Sequence, residues 1–298
     1  MNPWRSESDE RSSRSETRRA FLVGEGIAHA LAPVALTAAI EAAGLDAVYE
    51  LLDVGPEGVA GAFERLRRPD CAGANVTMPY KGLALETADR ADDAAVLCRA
   101  ASVLSSAGGE LTAHNADAFA LAAALAGRAE RIAGGEVVIL GAGGAAGAAL
   151  ASALALRPRR LALVARRQAQ AVELAGRVDA AVEVAGFDDL PRLLPSADLV
   201  VNATALGMRQ EDPSPLGDLQ LASGTLVYDL VYRREAPTAL AEAAIAADAE
   251  LCDGVAHVIL QAPETFRLLF DADCDRGAVL EAVTAAIGRA PRAWIALS

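Results

Sequence analysis

Short apolar runs alternate along this chain with stretches whose apolar positions recur every three or four residues, from about residue 20 to beyond residue 280. The runs predict strands over residues 20–24, 48–52, 72–77, 137–140, 161–165, 182–185, 199–203, 225–230 and 250–252. Helical spacing predicts helices over 34–43, 59–66, 84–97, 118–125, 168–177, 188–194, 237–248, 256–270 and 276–288, and an alanine-rich one ending near Leu156. Pro33 stands at the entrance of the first helix and Gly44 at its exit, the positions where proline and glycine suit a helix. Residues 101–106 and 110–113 predict a hairpin over Gly108 and Gly109. Strands separated by helices imply parallel sheets with helices on their faces, an α/β fold. The expected division is an N-terminal α/β substrate domain, residues 20–117, closed by 256–298, around a second domain, 118–255. Residues 1–19 are rich in Ser, Arg and Glu and predict a disordered extension without the apolar core of a secretory signal.

The second domain opens on Glu136-Val-Val-Ile-Leu-Gly-Ala-Gly-Gly-Ala-Ala-Gly147. A buried strand, a glycine turn and a helix make the start of a dinucleotide-binding unit. Gly141 permits the turn, Gly143 lets backbone approach a pyrophosphate, and Ala146 lets helix pack on strand. The helix N-terminus, with Gly144 and Ala145, offers free N–H groups to phosphate. With a doubly wound parallel sheet this is a Rossmann domain. Its second strand ends in Ala165-Arg166-Arg167, where an acid would take the 2′-hydroxyl of NAD and an arginine suits the 2′-phosphate of NADP. No acid lies between Leu156 and Gln170, whereas five arginines do, so the expected cofactor is NADP.

Composition narrows the function without naming it. A net charge of −13 over 298 residues argues against a nucleic-acid partner. No apolar run reaches the length of a membrane span. The four cysteines form no C-x-x-C pair and there are three histidines, so neither a disulfide framework nor a metal site is expected, and a reducing cytoplasm suits the chain. The remaining expectation is a small-molecule protein, monomer or homodimer.

Two polar clusters carry candidate chemistry. Asn75-Val-Thr-Met-Pro-Tyr-Lys81 follows a strand and reads as a rigid loop because of Pro79. A lysine held there beside Asn75 and Thr77 can exchange a proton with an alcohol or carbonyl oxygen. His114-Asn-Ala-Asp117 precedes the interdomain crossing, and Asp117 is placed to pair with Lys81. Read alone, a loop lysine is as well explained by solvation and Asp117 by helix capping.

In order and separation, Asn75-Val-Thr-x-Pro-x-Lys81, Asn115-x-Asp117, Gly141-Ala-Gly-Gly-Ala, Asn202-Ala-Thr-x-x-Gly-Met208, Tyr228-Asp-x-x-Tyr232, Asp253-Gly254 and Gln261-Ala-x-x-x-Phe266 resemble the shikimate/quinate dehydrogenase family. The resemblance implies a two-domain enzyme that reduces 3-dehydroshikimate with NADPH, using Lys81 and Asp117 as a catalytic dyad. It implies Asn75, Thr77, Asn115 and Gln261 around the polyol and Tyr232 near substrate and nicotinamide. It also implies Ala142, Arg166, Thr204, Met208 and Gly254 along the cofactor. The departures concern the substrate. Where the family carries a serine pair before a proline to hold the carboxylate, this chain has Ala30-Leu-Ala32-Pro33, and where it has Asn-Thr this chain has Ser102-Val103. Losing two donors to a carboxylate costs about 1.5–3 kcal/mol each, so the expected substrates are shikimate or a related ring alcohol lacking that group. His29 and His257, the latter where the family commonly has Met, receive no role. A fold that binds ligand without turnover is the non-enzyme alternative. Methylenetetrahydrofolate dehydrogenases share the layout but usually show Tyr-x-x-x-Lys and a glycine loop with Ser and Pro, both missing here.

Overall fold

The computed structural model describes residues 17–294. Its first half runs β1 (Arg18–Gly24), α1 (Ala32–Ala42), β2 (Ala47–Asp53), α2 (Val59–Arg65), β3 (Cys71–Val76), α3 (Lys81–Thr87), β4 (Arg90–Ala91), α4 (Asp93–Cys98), β5 (Val103–Ala107) and β6 (Glu110–His114). α5 (Ala116–Ala126) and the single turn α6 (Ala129–Ile132) lead into the second half. There follow β7 (Glu136–Leu140), α7 (Gly144–Leu154), β8 (Arg160–Val164), α8 (Gln168–Ala175), β9 (Glu183–Ala185), α9 (Leu190–Leu193), β10 (Leu199–Asn202), β11 (Leu226–Asp229), α10 (Ala239–Ala246) and β12 (Glu250–Cys252). α11 (Gly254–Phe270) and α12 (Arg276–Ile287) end the chain's regular structure.

The strands form two six-stranded sheets. The first has the order β2-β1-β3-β5-β6-β4, and the second β12-β11-β10-β7-β8-β9. All pairings in the second sheet are parallel. Counted from β7, its order is 3-2-1-4-5-6, the doubly wound Rossmann arrangement. β7, β10 and β11 are buried along their whole length, which is why they read as unbroken Val/Leu/Ile runs. The first sheet is mixed: β1 runs parallel to β2 and β3, while the β5–β6 hairpin runs antiparallel. The C-terminal helices α11 and α12 return to pack on α1 of the first half. Leu36, Ile40, Ile259, Phe266 and Val283 lie in that shared core.

Three expectations are corrected. The disordered extension cannot run to Arg19, because Arg18 and Arg19 already pair in β1; residues 1–16 lie outside the described residues. Residues 84–97 are two helices, not one. β4 separates them by pairing with β6, and Asp92 restarts the helix by accepting the Ala95 N–H at 2.7 Å. The loop holding Pro79 ends at Tyr80, so Lys81 is the first residue of α3 rather than a loop residue. Among the described residues, no helix is long and apolar enough to cross a membrane.

Candidate active site

A cleft of about 510 Å³ opens between the two sheets. Its walls come from the segments that follow β1, β3, β10 and β11, and from one face of α11. In open α/β sheets ligands bind beyond the carboxyl ends of the strands, where the strand order reverses. Here the reversal lies between β7 and β10. Gly141 follows β7 with φ +119, and a Cβ there would stand 2.8 Å from the Ala203 carbonyl oxygen. Only glycine allows that backbone close to β10.

Lys81 and Asp117 meet in this cleft as an ion pair. Lys81 is brought by the start of α3; Asp117 sits in the first turn of α5, whose N-cap is Asn115. Burial opposes a charge on Asp117, but the Lys81 ammonium and a hydrogen bond from His257 outweigh it and hold the carboxyl well below the usual carboxylate range. His257 Nε2 lies 3.3 Å from Asp117 Oδ1, and its Nδ1 lies 2.8 Å from the Tyr228 hydroxyl. A cation pinned against a buried carboxylate at a cleft wall can hand a proton to a bound oxygen and take it back.

The other residues expected on the substrate side divide into two groups. Asn75, Thr77, Ser102, Tyr232, Gln261, Ala30 and Ala32 all line the cleft. The Asn75 carbonyl accepts the Tyr49 hydroxyl at 2.6 Å, which leaves its NH₂ directed elsewhere. Ser102 accepts the Ala116 N–H at 2.8 Å, and Tyr232 accepts the Leu31 N–H at 3.0 Å. Both hydroxyls therefore keep a proton to donate. Ala30 and Ala32 offer none, and Arg234 fixes their loop by donating to the carbonyls of His29 and Ala30, each at 2.8 Å. Asn115 belongs to the second group. Its amide donates to Ala100 O at 2.9 Å and accepts from Ala118 N at 3.0 Å, so it braces α5 behind the cleft wall rather than lining it.

On the nucleotide side, α7 begins at Gly144 with Gly143 as an N-cap that supplies no side-chain hydrogen bond, so its first N–H groups lack a side-chain acceptor at the cap. Ala142 is half-buried and Ala145 lines the cleft. Gly144 has a second duty: a Cβ would fall 2.3 Å from the Ala100 Cβ, so its bareness lets α7 dock on the first half. Arg166 and Arg167 are exposed after β8, with no ion pair among the described residues. Ala165 is buried, with its N–H donated to Ala185 O at 3.0 Å. Thr204 and Met208 line the cleft, with the Thr204 hydroxyl donating to Asn202 Oδ1 at 2.7 Å to shape the loop. Gly254, expected along the cofactor, lies deeper. It is buried, and a Cβ would lie 2.6 Å from Val231 O, so it serves the packing of α11 on the β11 loop and does not line the cleft.

Asp229 anchors this loop cluster. It accepts Thr238 O–H at 2.5 Å, Asn202 Nδ2 at 2.9 Å and Val231 N–H at 3.1 Å. Burial still dominates and pushes its carboxyl up to about 6. The folded state therefore holds the Asp229 proton more tightly than the unfolded chain. The stability it contributes is complete below about pH 4 and lost as pH rises through about 6, a change of about 3 kcal/mol. Asp229→Asn should remove this dependence. In urea unfolding from about pH 4 to about pH 8, the variant's stability relative to wild type should rise by about 2–3 kcal/mol and level off above about pH 6. A pH-independent gap would contradict the assignment.

Tyr228 and His257 received no role from the sequence. One signal was present: His257 precedes Gln261 by four residues, which puts both on one face of a helix.

Two family models match the chain. "Shikimate dehydrogenase substrate binding domain" covers residues 22–104 and "Shikimate / quinate 5-dehydrogenase" covers residues 122–208. The NADP(+) shikimate dehydrogenase of Caulobacter vibrioides is 38% identical over 83% of this chain and 87% of its own length. Shikimate dehydrogenase from Aquifex aeolicus superposes with a TM-score of 0.79 at 25% identity, over 90% of this chain and 98% of that one. A Thermus thermophilus shikimate 5-dehydrogenase, solved in complex with NADP(H) and shikimate, gives a TM-score of 0.73 at 28% identity, over 90% and 99% of the two chains. With the same two-sheet layout and a cleft that joins a lysine to an aspartate, this chain belongs to the shikimate dehydrogenase family.

Proposed function

We propose that the chain is an NADP-dependent oxidoreductase that interconverts a ring alcohol and its ketone, with shikimate and 3-dehydroshikimate as the first pair to test. The observation that carries this is the Lys81–Asp117 ion pair in a cleft that Ala145 at the glycine turn, Thr204 and Met208 border from the other sheet. The residues present fit NADP: an α7 N-terminus without a side-chain cap for the pyrophosphate and two exposed arginines after β8 for the 2′-phosphate. Bound there, NADPH supplies the hydride. Lys81 delivers a proton to the ketone oxygen as it gains negative charge, and in the reverse direction receives it from the alcohol. Asp117 holds the lysine in place and compensates its charge. Asn75, Thr77, Tyr232 and Gln261 orient the ring hydroxyls, with Ser102 donating from the same wall. Gly141 to Ala145, Thr204 and Met208 border the cofactor.

Domain limits follow the sheets. Residues from Arg18 to 117, with 256–294, form the substrate domain, and 118–255 the nucleotide domain. Support comes from the division of strands, β1 to β6 against β7 to β12, and from the return of α11 and α12 to α1.

A second substrate reading rests on Ala30 and Ala32. They line the cleft without a donor of their own, which leaves a carboxylate set against them dependent on neighbours such as the Tyr232 hydroxyl. The test is NADP⁺ reduction by purified protein over a panel of shikimate, quinate and uncharged cyclitols. Shikimate oxidation supports the first pair, and higher kcat/KM for an uncharged cyclitol supports the second. No turnover across the panel sinks both.

A further inference from the structure

Asp117 has two oxygens, and the structure gives each a different partner. Oδ2 faces the Lys81 ammonium, while Oδ1 faces His257 Nε2 at 3.3 Å. The imidazole is held from behind, with its Nδ1 2.8 Å from the hydroxyl of Tyr228, which is fully buried. The Tyr228 ring meets His257 edge-on, with centroids 5.8 Å apart, and Trp294 packs on its other side at 5.9 Å. The line therefore runs Tyr228, His257, Asp117, Lys81 and stops at the cleft.

Hydrogen-bond chemistry orders the protons along this line. An ionised carboxylate only accepts, so His257 Nε2 must donate to Oδ1. Nδ1 is then free to accept the one proton a phenol carries. With the phenol donating to Nδ1, each polar atom along the line has a partner. The far end is a phenol with no exposure to solvent. No proton can leave by that route, so the line holds and does not conduct.

We propose that His257, backed by Tyr228, is a positioning residue for the reaction: its N–H fixes the Asp117 carboxylate so that Oδ2 presents Lys81 to the substrate oxygen. This rests on the proposed Lys81–Asp117 dyad. Without the donor, Oδ1 becomes a buried carboxylate oxygen with no partner. The carboxylate then turns to share Oδ1 with Lys81 or gives up its charge, and the ammonium moves. A displacement of an ångström in a proton donor costs on the order of 100-fold in rate, because proton transfer tolerates little misalignment.

The test compares wild type with His257→Leu, which keeps bulk and removes the donor, and His257→Gln, which restores an N–H toward Asp117. His257→Leu should lower kcat by about 10- to 100-fold while KM and NADPH affinity change less than about threefold. His257→Gln should recover kcat to within about fivefold of wild type. Equal kcat in His257→Leu and wild type overturns the proposal, and so does equal impairment in both variants, which marks a merely structural role. Lys81→Ala is measured alongside. If it turns over normally, the dyad itself is wrong; if it is inactive while His257→Leu is normal, only the role of His257 fails. Should His257→Leu not fold, ¹⁵N NMR of the wild-type imidazole decides. A proton on Nε2 supports the proposal; a ring protonated at Nδ1 alone, with nothing to donate toward Asp117, overturns it.

Discussion

Lys81→Ala is expected to reduce kcat by about three orders of magnitude while leaving NADPH affinity within about threefold, since a positioned acid-base group contributes about 10²- to 10⁴-fold. The lysine sits on the substrate side of the cleft, at the start of α3, whereas the turn after β7 and the arginines after β8 lie on the other sheet. Its loss therefore removes the proton donor without touching the nucleotide wall. It also leaves Asp117 buried beside His257 with its main counter-charge gone, and burial then works toward protonating the carboxyl. Steady-state turnover and a fluorescence titration with NADPH separate the two effects. Parallel loss of turnover and nucleotide affinity would show that Lys81 shapes the fold instead of serving the chemistry.

The second large effect lies in cofactor choice. Arg166 and Arg167 project from the end of β8 into solvent, without an ion pair among the described residues, where the adenosine ribose meets a doubly wound sheet. Each charge-assisted hydrogen bond to a phosphate is worth about 1.5–3 kcal/mol. The double replacement Arg166→Ala/Arg167→Ala should therefore weaken NADPH binding by about 10²- to 10⁴-fold. NADH has no 2′-phosphate and its affinity should change by less than about threefold. Titration of both nucleotides against both proteins reads this directly. An equal loss for NADH would place the arginines in general charge steering rather than in 2′-phosphate recognition.

Most of the architecture was legible because it is written in continuous apolar runs. β7, β10 and β11 are central strands of a parallel sheet, covered on both faces, so their limits could be read to within two residues. The second half therefore emerged as a Rossmann sheet before any coordinates. β4 was invisible, since two exposed residues, Arg90 and Ala91, carry no periodicity and pair only because β6 lies beside them. The start of α3 at Lys81 was hidden by Pro79, which reads as a helix breaker and is here an acceptable neighbour of a helix start.

The site divides in the same way. Lys81 and Asp117, separated by thirty-six positions, could be suspected as partners from local polarity and are joined by the fold. The hydrogen bond of His257 to Asp117 spans 140 positions and exists because α11 leaves the second sheet and packs on α5. No local pattern announces such a contact. Asn115 and Gly254 pose the opposite case. Both stand in the motifs, yet Asn115 uses its amide to brace α5, and Gly254 exists to let backbone meet backbone. A motif marks a position the fold needs without saying whether ligand or packing needs it.

Hydride transfer to a ring carbon, with the proton supplied from the cleft, is the centre of this account. It is tested most directly by incubating the protein with NADPH carrying deuterium at the transferring position of the nicotinamide, together with 3-dehydroshikimate and the ketones of the panel. The account predicts deuterium on the new carbinol carbon of the reduced ring, in wild type and at a greatly reduced rate in Lys81→Ala. Reduced product without deuterium at that carbon, or no reduced product from any ketone despite bound NADPH, would contradict it.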